Sequence, residues 1–205
     1  MTEKLKSSET QQNTAAVLTL RRASPEDIPA IDALHFLSVH GLGAADYSPA
    51  ELEAFLTHGT YDHAMVQAGT YYLIEDESIE DGGRVVASGG WAQNLPISEV
   101  PGAGIDEEAS ILSTTSAKIR SVFVHPKYAR LGLGSRLVRH AEEEAAASGF
   151  RLLELWASLT GVPLYRRLGY QEIRRLAIPG GNGVSVPAVH MAKLIALDTD
   201  GATAA

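Results

Sequence analysis

A single mixed α/β domain is the fold class that the sequence predicts, and three observations predict it. The run Ser121-Val-Phe-Val-His-Pro-Lys-Tyr-Ala-Arg-Leu-Gly-Leu-Gly-Ser-Arg-Leu-Val138 passes from a β-branched apolar stretch, through a glycine-bearing turn, into an amphipathic helix. Strand-like and helix-like segments follow one another from Val17 to Leu194 instead of separating into blocks. A chain of 205 residues with 45% hydrophobic content has the size and composition of one globular unit with a sizeable core. No internal repeat or second domain is visible.

The elements follow in order. Val17 to Arg21 reads as a short strand. Ser24-Pro-Glu-Asp27 opens a helix, with Ser24 as N-cap, Pro25 in the first turn and Asp27 in the capping-box position. Ile28, Ile31, Leu34 and Leu37 recur at helical spacing, and Gly41 suits the stop. Ser48-Pro-Ala-Glu51 repeats the start, with Leu52, Phe55 and Leu56 as the apolar face. Thr70 to Ile74 and Arg84 to Trp91 flank a polar turn and read as a hairpin. A loop, Asn94 to Ser116, leads to the strand Ile119 to Val124. The helix from Ser135 to Ser148 sets Leu137, Val138, Ala141 and Ala145 against Arg139, Glu142 and Glu143. Arg151 to Trp156 is a strand, Val162 to Leu168 a short helix, Tyr170 to Leu176 a strand, Gly180 to Gly183 a turn and Ala188 to Leu194 the last strand. Residues 1–16 read as a disordered tail and 197–205 as a frayed end, which leaves 17–196 for the domain.

Composition removes several function classes. There is no cysteine, so disulfides, thiolate zinc sites and a cysteine nucleophile are excluded. A net charge of −8 argues against duplex nucleic acid as partner. No apolar run reaches the roughly 18 residues of a membrane span, and the polar N-terminus has no signal-peptide core, so a cytoplasmic location is the default expectation. The seven histidines, His35, His40, His58, His63, His125, His140 and His190, show no metal-ligand spacing, and no metal is expected. There is no G-x-S-x-G elbow for a serine hydrolase. Neither a Walker-type loop nor a dinucleotide G-x-G-x-x-G fingerprint is present.

The glycine turn carries the chemistry that is left. A helix start offers orphan N–H groups and the positive end of the dipole, and glycine lets an anion approach the backbone closely. A phosphate-bearing ligand is the functional reading of Gly132 and Gly134; a plain strand-to-helix turn is the alternative.

The order of elements, the Val124-His-Pro126 unit with its glycine turn, and Leu164-Tyr-Arg-Arg-Leu-Gly-Tyr170 about 30 residues on together resemble the GNAT-type N-acetyltransferase superfamily, over about Leu18 to Leu194. The resemblance implies a mixed, mostly antiparallel central sheet of about seven strands flanked by about four helices. It implies acetyl-CoA as co-substrate, no metal, and a primary amine as acceptor, a small molecule in preference to a protein or peptide amine. It also allows a homodimer. The family turn Q/R-x-x-G-x-G/A reads Ala129-Arg-Leu-Gly-Leu-Gly134 here, with Ala129 in the polar position and Arg130 beside it. By similarity, main-chain N–H groups of Arg130, Leu131, Gly132, Leu133, Gly134 and Ser135 hold the pyrophosphate, and Val122 and Val124 pair with the pantetheine arm like a further strand.

Tyr165 matches the tyrosine that serves as general acid in the family, where a phenol stabilises or protonates the departing thiolate; the alternative is a buried packing aromatic. Thr160 holds the cofactor arm or starts the helix. Many members carry a base glutamate on the strand before the glycine turn. Ile119-Arg-Ser-Val-Phe-Val124 has none, which leaves His125, a loop carboxylate such as Glu99 or Glu108, or water. His125 also suits a purely structural role before Pro126. Trp91 and Trp156 line the acceptor pocket or belong to the core. Glu99, Asp106, Glu107 and Glu108 either form an acidic rim that attracts an amine or are simply solvated. The competing function is an acyl-CoA-binding regulatory module without turnover; a longer acyl donor is a further variant.

Overall fold

Each strand-like run of the sequence becomes a strand of one sheet in the computed structural model, which describes residues 16–56, 61–79, 84–93, 116–180 and 183–195. The strands are β1 (Leu18–Arg22), β2 (Tyr71–Asp76), β3 (Arg84–Gln93), β4 (Ser116–Val124), β5 (Leu152–Ser158), β6 (Gln171–Pro179) and β7 (Ser185–Leu194). They lie in the order β1-β2-β3-β4-β5-β7-β6. All neighbours are antiparallel except β4 and β5. Five helices are described: α1 (Ile28–Gly43), α2 (Pro49–Leu56), α3 (Tyr61–Ala68), α4 (Leu133–Ala147) and α5 (Val162–Arg167). The expected tails, apart from Ala16 at the N-terminal end, lie outside the described residues, as do His58, most of the 94–116 loop with its four acidic residues, and the middle of the 180–183 turn.

The caps read from sequence hold the helix starts. The Asp27 carboxylate accepts from the Ser24 N–H at 2.7 Å and from both Arg21 terminal nitrogens at 2.7 Å. Pro25 to Asp27 form a short 3-10 turn before α1 proper. Ser48 and Glu51 cap α2 reciprocally: the Ser48 N–H donates to Glu51 Oε2 at 2.7 Å, and the Glu51 N–H to Ser48 Oγ at 3.4 Å.

Two expectations need correction. Helix α1 does not stop at Gly41 but runs to Gly43. A Cβ on Gly41 would lie 2.4 Å from Pro126 Cγ, so this glycine serves the close approach of α1 to the turn after β4. Helix α3 is additional to the four helices expected. It has no N-cap signal of the kind that opens α1 and α2, and it is held by burial of Met65 and Val66 against Tyr71 and Leu73.

Alternation along the strands builds two cores. Tyr72 and Ile74 of β2, Ala117 and Ile119 of β4, and Leu153 and Leu155 of β5 face α4, where Leu137, Val138, Ala141 and Ala145 are buried. Tyr71 and Leu73 face the opposite way, onto α1 and α3. Val39 of α1, Leu52 and Ala54 of α2, and Val186 of β7 form a third cluster on that side.

Two departures from regularity open the sheet. Between Ser88 and Gly90 the register with β4 shifts from Phe123 to Arg120, so β4 carries one extra residue there, with Ser121 at φ 55°. The parallel joint of β4 to β5 comprises only Ser116–Leu152, Ala117–Leu153 and Lys118–Glu154, after which the two strands diverge.

Candidate active site: a cleft through the sheet

Where β4 and β5 part, a cleft of about 810 Å³ opens. Its walls are β4 from Lys118 to Val124, the turn Tyr128–Ser135, the segment Thr160–Tyr165, and residues of α1, α2, β6 and β7 on the opposite sheet face. Side chains of β4 assign the two sides. Val122 and Val124 pack with the α4 core, whereas Phe123 packs with the α1–α2 cluster. The cleft thus connects the start of α4 with the space beneath α1 and α2.

The turn entering α4 is rigidly seated. His125 donates its N–H to Val86 O at 2.8 Å, and the Tyr128 phenol donates to Asp76 Oδ2 at 2.7 Å. Arg130 and Gly132 adopt left-handed φ of 68° and 82°, readily reached by Gly132 and strained for Arg130. The first bond of the helix runs from the Arg136 N–H to Gly132 O at 3.0 Å. The N–H groups of Leu133, Gly134 and Ser135 therefore precede the helical ladder, and no acidic residue occupies the first turn. A Cβ on Gly134 would come 3.1 Å from Leu164 and 3.7 Å from Val124, inside the cleft. These features fit an anionic ligand with an elongated arm. Helix α4 begins two residues earlier than the expected Ser135, which moves the free N–H groups to Leu133–Ser135.

Most residues read from sequence meet here. Val122, Val124, Arg130, Gly132, Leu133, Gly134, Ser135, Thr160 and Tyr165 all line the cleft. Leu131 does not; its side chain points outward at 62% exposure, leaving only main-chain groups for a ligand. Val122 has no register partner on β3. The Val124 N–H already donates to Ser38 Oγ of α1 at 3.2 Å. Thr160 donates to Asp46 Oδ2 at 2.6 Å and does not cap α5, whose N-cap is Gly161.

Tyr165 projects from α5 into the cleft wall, buried at its ring and 5.7 Å centroid to centroid from Tyr170. Its hydroxyl makes no hydrogen bond among the described residues. Burial alone lifts this phenol well above its ordinary pKa. Tyr165 is therefore a neutral O–H donor facing the cleft at any physiological pH.

His125 is not placed for catalysis. It is buried away from the cleft lining, accepts the Lys127 N–H on Nδ1 at 3.1 Å, and has its pKa lowered by burial and by Arg84 and Lys127. Trp91 belongs to the core, against Phe150, whereas Trp156 lines the cleft.

One constellation was missed by the sequence reading. Glu154, 4% exposed, lies on the cleft floor beside its parallel neighbour Lys118, with which it forms an ion pair. It also accepts from Ser116 Oγ at 2.6 Å and faces His190 Nε2 at 3.0 Å. Burial would raise its pKa, but the hydrogen bonds from His190, Lys118 and Ser116 outweigh that and hold it at about 2. A lone glutamate within the apolar run Leu152-Leu-Glu-Leu-Trp156 was the available signal. Tyr47, between α1 and α2, was missed too. Its phenol donates to Pro187 O at 2.9 Å and accepts the Leu159 N–H at 2.7 Å, tying α1 and α2 to the rim of the cleft. Opposite, Tyr71 donates to Ser121 O at 3.0 Å and so fixes the bulge of β4. Among the described residues no cluster of three metal-ligating groups occurs, and no helix is long and apolar enough to cross a membrane.

Comparisons with known proteins agree with this geometry. The chain resembles a GCN5-related N-acetyltransferase from Rhodopseudomonas palustris with a TM-score of 0.66 at 22% identity, over 88% of this chain and 97% of that one. It resembles the PaiA N-acetyltransferase from Thermoplasma acidophilum, solved in complex with coenzyme A, with a TM-score of 0.60 at 14% identity, over 87% and 99%. A curated relative, an uncharacterized N-acetyltransferase from Methanocaldococcus jannaschii, is 36% identical over 59 residues, 27% of this chain. That match spans 26% of the relative's length. The model of the acetyltransferase (GNAT) family matches residues 37–170, from the middle of α1 through the glycine turn to Tyr170. Matched over more than half its length by that model, with the seven-stranded sheet and the cleft in place, the chain belongs to the GNAT family of acetyltransferases.

Proposed function

We propose that this protein transfers an acetyl group from acetyl-CoA to the primary amine of a small molecule, by direct attack and without an acyl-enzyme. The observation that carries the reading is the meeting, in one cleft, of the unladdered N–H groups at the start of α4 with the neutral phenol of Tyr165. The coenzyme A complex of the Thermoplasma relative supports the choice of ligand. The cleft volume of about 810 Å³ suits a small-molecule site.

Acetyl-CoA would supply an activated acyl group. Leu133, Gly134 and Ser135 bind its pyrophosphate through their N–H groups, with Arg130 adding charge. Val122 offers main-chain groups to the pantetheine, and Leu164 packs beside it. Tyr165 donates its O–H toward the sulfur as negative charge develops there. Phenol near 10 and thiol near 8.5 make complete transfer in water uphill by roughly 2 kcal/mol, so hydrogen bonding to the developing thiolate is the phenol's main contribution. Water carries off the amine's proton in this reading, since Glu154 is already engaged by three donors.

Titration calorimetry with acetyl-CoA, followed by a panel of primary amines, tests the reading. Binding followed by turnover on an amine is the expected outcome. Binding without turnover on any amine would favour the regulatory module, and no binding would reduce the glycine turn to a structural element. Replacement of Gly134 by leucine is expected to weaken acetyl-CoA binding at least tenfold, because the added side chain enters the space between Leu164 and Val124. Circular dichroism checks that the fold survives, and unchanged affinity would exclude this turn from the ligand site.

A further inference from the structure

The Ser88-Gly-Gly90 segment of β3 leaves the sheet bare beside the bulge of β4. Between the register pairs Ser88–Phe123 and Gly90–Arg120, Gly89 stands opposite both Ser121 and Val122. A Cβ on Gly90 would come 2.9 Å from the Tyr71 ring, and one on Gly89 would come 3.0 Å from Val122 Cγ2. The bare backbone lets Tyr71 of β2 reach across β3 to β4, where its phenol donates to Ser121 O at 3.0 Å.

That carbonyl belongs to a strained residue. Ser121 holds φ at 55°, a conformation that a residue with a side chain keeps only where its surroundings impose it. His35 of α1 and Ser88 brace the phenol: His35 Nε2 and Ser88 Oγ each lie 3.0 Å from Tyr71 Oη. A phenol has one proton to give. With His35 in its Nε2–H tautomer and the Ser88 hydroxyl turned toward Tyr71, both donate to the phenol oxygen, and its own proton goes to Ser121 O. Burial, with a smaller push from His63, lowers the His35 pKa to about 3, so the imidazole stays neutral. Ser121 and Val122 both line the cleft. In a planar trans peptide the C=O and N–H point in opposite directions, so a Ser121 carbonyl fixed on Tyr71 turns the Val122 N–H away from Tyr71.

We propose that Tyr71, braced by His35 and Ser88, is a positioning residue for acetyl transfer: by holding the Ser121–Val122 peptide it aims the Val122 N–H at the carbonyl oxygen of the bound thioester. This rests on the acetyl-transfer reading above. When the amine nitrogen bonds to the thioester carbon, the carbonyl π pair moves onto oxygen, where an aimed N–H stabilises it. Collapse of the adduct breaks the C–S bond. Amine plus thioester gives amide plus thiol, with one proton passing in net from nitrogen to sulfur.

The test compares the unaltered protein with Tyr71→Phe, which keeps the ring and removes the donor. kcat is expected to fall at least about tenfold while KM for acetyl-CoA stays within about threefold. Isotope-edited infrared difference spectra of bound, carbonyl-labelled acetyl-CoA read the aim of the N–H: the carbonyl stretch should lie lower in the unaltered complex than in the Tyr71→Phe complex. A structural role alone would change the unfolding temperature and leave that frequency where it was. His35→Leu should shift kcat and the stretch in the same direction as Tyr71→Phe. His35→Gln, whose amide N–H replaces the Nε2–H, should restore most of both. Should Tyr71→Phe fail to fold, Ser88→Ala and the two His35 variants take its place, with the same directions expected. With an amine turned over by the unaltered protein, an unchanged kcat or an unchanged stretch overturns this proposal alone. If no amine is turned over, the transfer reading fails separately, and the stretch decides whether Tyr71 aims the peptide. Failure of acetyl-CoA to bind the unaltered protein overturns both.

Discussion

Tyr165→Phe is expected to lower kcat by about 10²-fold while leaving KM for acetyl-CoA within about threefold. The substitution removes only the hydroxyl. The ring keeps its packing in the α4 core and its edge contact with Tyr170. Because that hydroxyl has no hydrogen-bond partner among the described residues, its loss orphans no buried group, and stability should change by less than about 1 kcal/mol. A fall in kcat without a fall in stability therefore isolates the proton donor from a structural role. Steady-state kinetics on one good amine, alongside thermal unfolding, gives both readouts. An unchanged kcat would remove Tyr165 from the reaction. Burial holds this phenol protonated, so no alkaline limb from Tyr165 is expected in kcat below about pH 10.

Glu154→Gln should destabilise the fold by about 3–5 kcal/mol at pH 7, because it leaves the partly buried Lys118 ammonium without its counter-charge. The pH dependence identifies the cause. Glu154 sits at about 2 in the folded protein against an ordinary 4.5. Its stabilisation is thus fully present above pH 4.5 and is lost as pH falls toward 2, by roughly 3 kcal/mol at most. Urea unfolding of both proteins at pH 7 and at pH 3 should show the gap between them narrowing at the lower pH. An equal gap at both would assign the effect to packing of the side chain instead of its charge.

The glycine turn was legible as a local pattern, two glycines at a helix start, whereas Tyr165 was singled out by the resemblance that Leu164-Tyr-Arg-Arg-Leu-Gly-Tyr170 carries; both line the cleft. Capping boxes at Ser24 and Ser48 were legible as local patterns too, since three residues suffice to specify them. Lys118 and Glu154 were not, because 36 positions separate them and only the parallel register of β4 and β5 makes them neighbours. The fate of Trp91 and Trp156 was equally non-local: both end strand-like runs, yet one is enclosed by Phe150 and α4 while the other borders the cleft. Gly41 misled because a glycine late in a helical run looks like a stop, when what requires it is a proline more than 80 positions away. Helix α3 lacks the Ser-Pro-x-acid start of α1 and α2, and tertiary burial of Met65 and Val66 holds it.

The three-residue joint between β4 and β5 has a mechanical consequence. It divides the sheet into a four-strand half and a three-strand half that share one short seam, and the buried cluster beneath α4, which takes in Ile119 of β4 and Leu155 of β5, draws on both halves. A ligand lying along the open edges would act as a splint across the seam. Unfolding of the empty protein should then be less cooperative than that of the complex, with amide hydrogens along residues 119–124 exchanging far more slowly once the splint is in place.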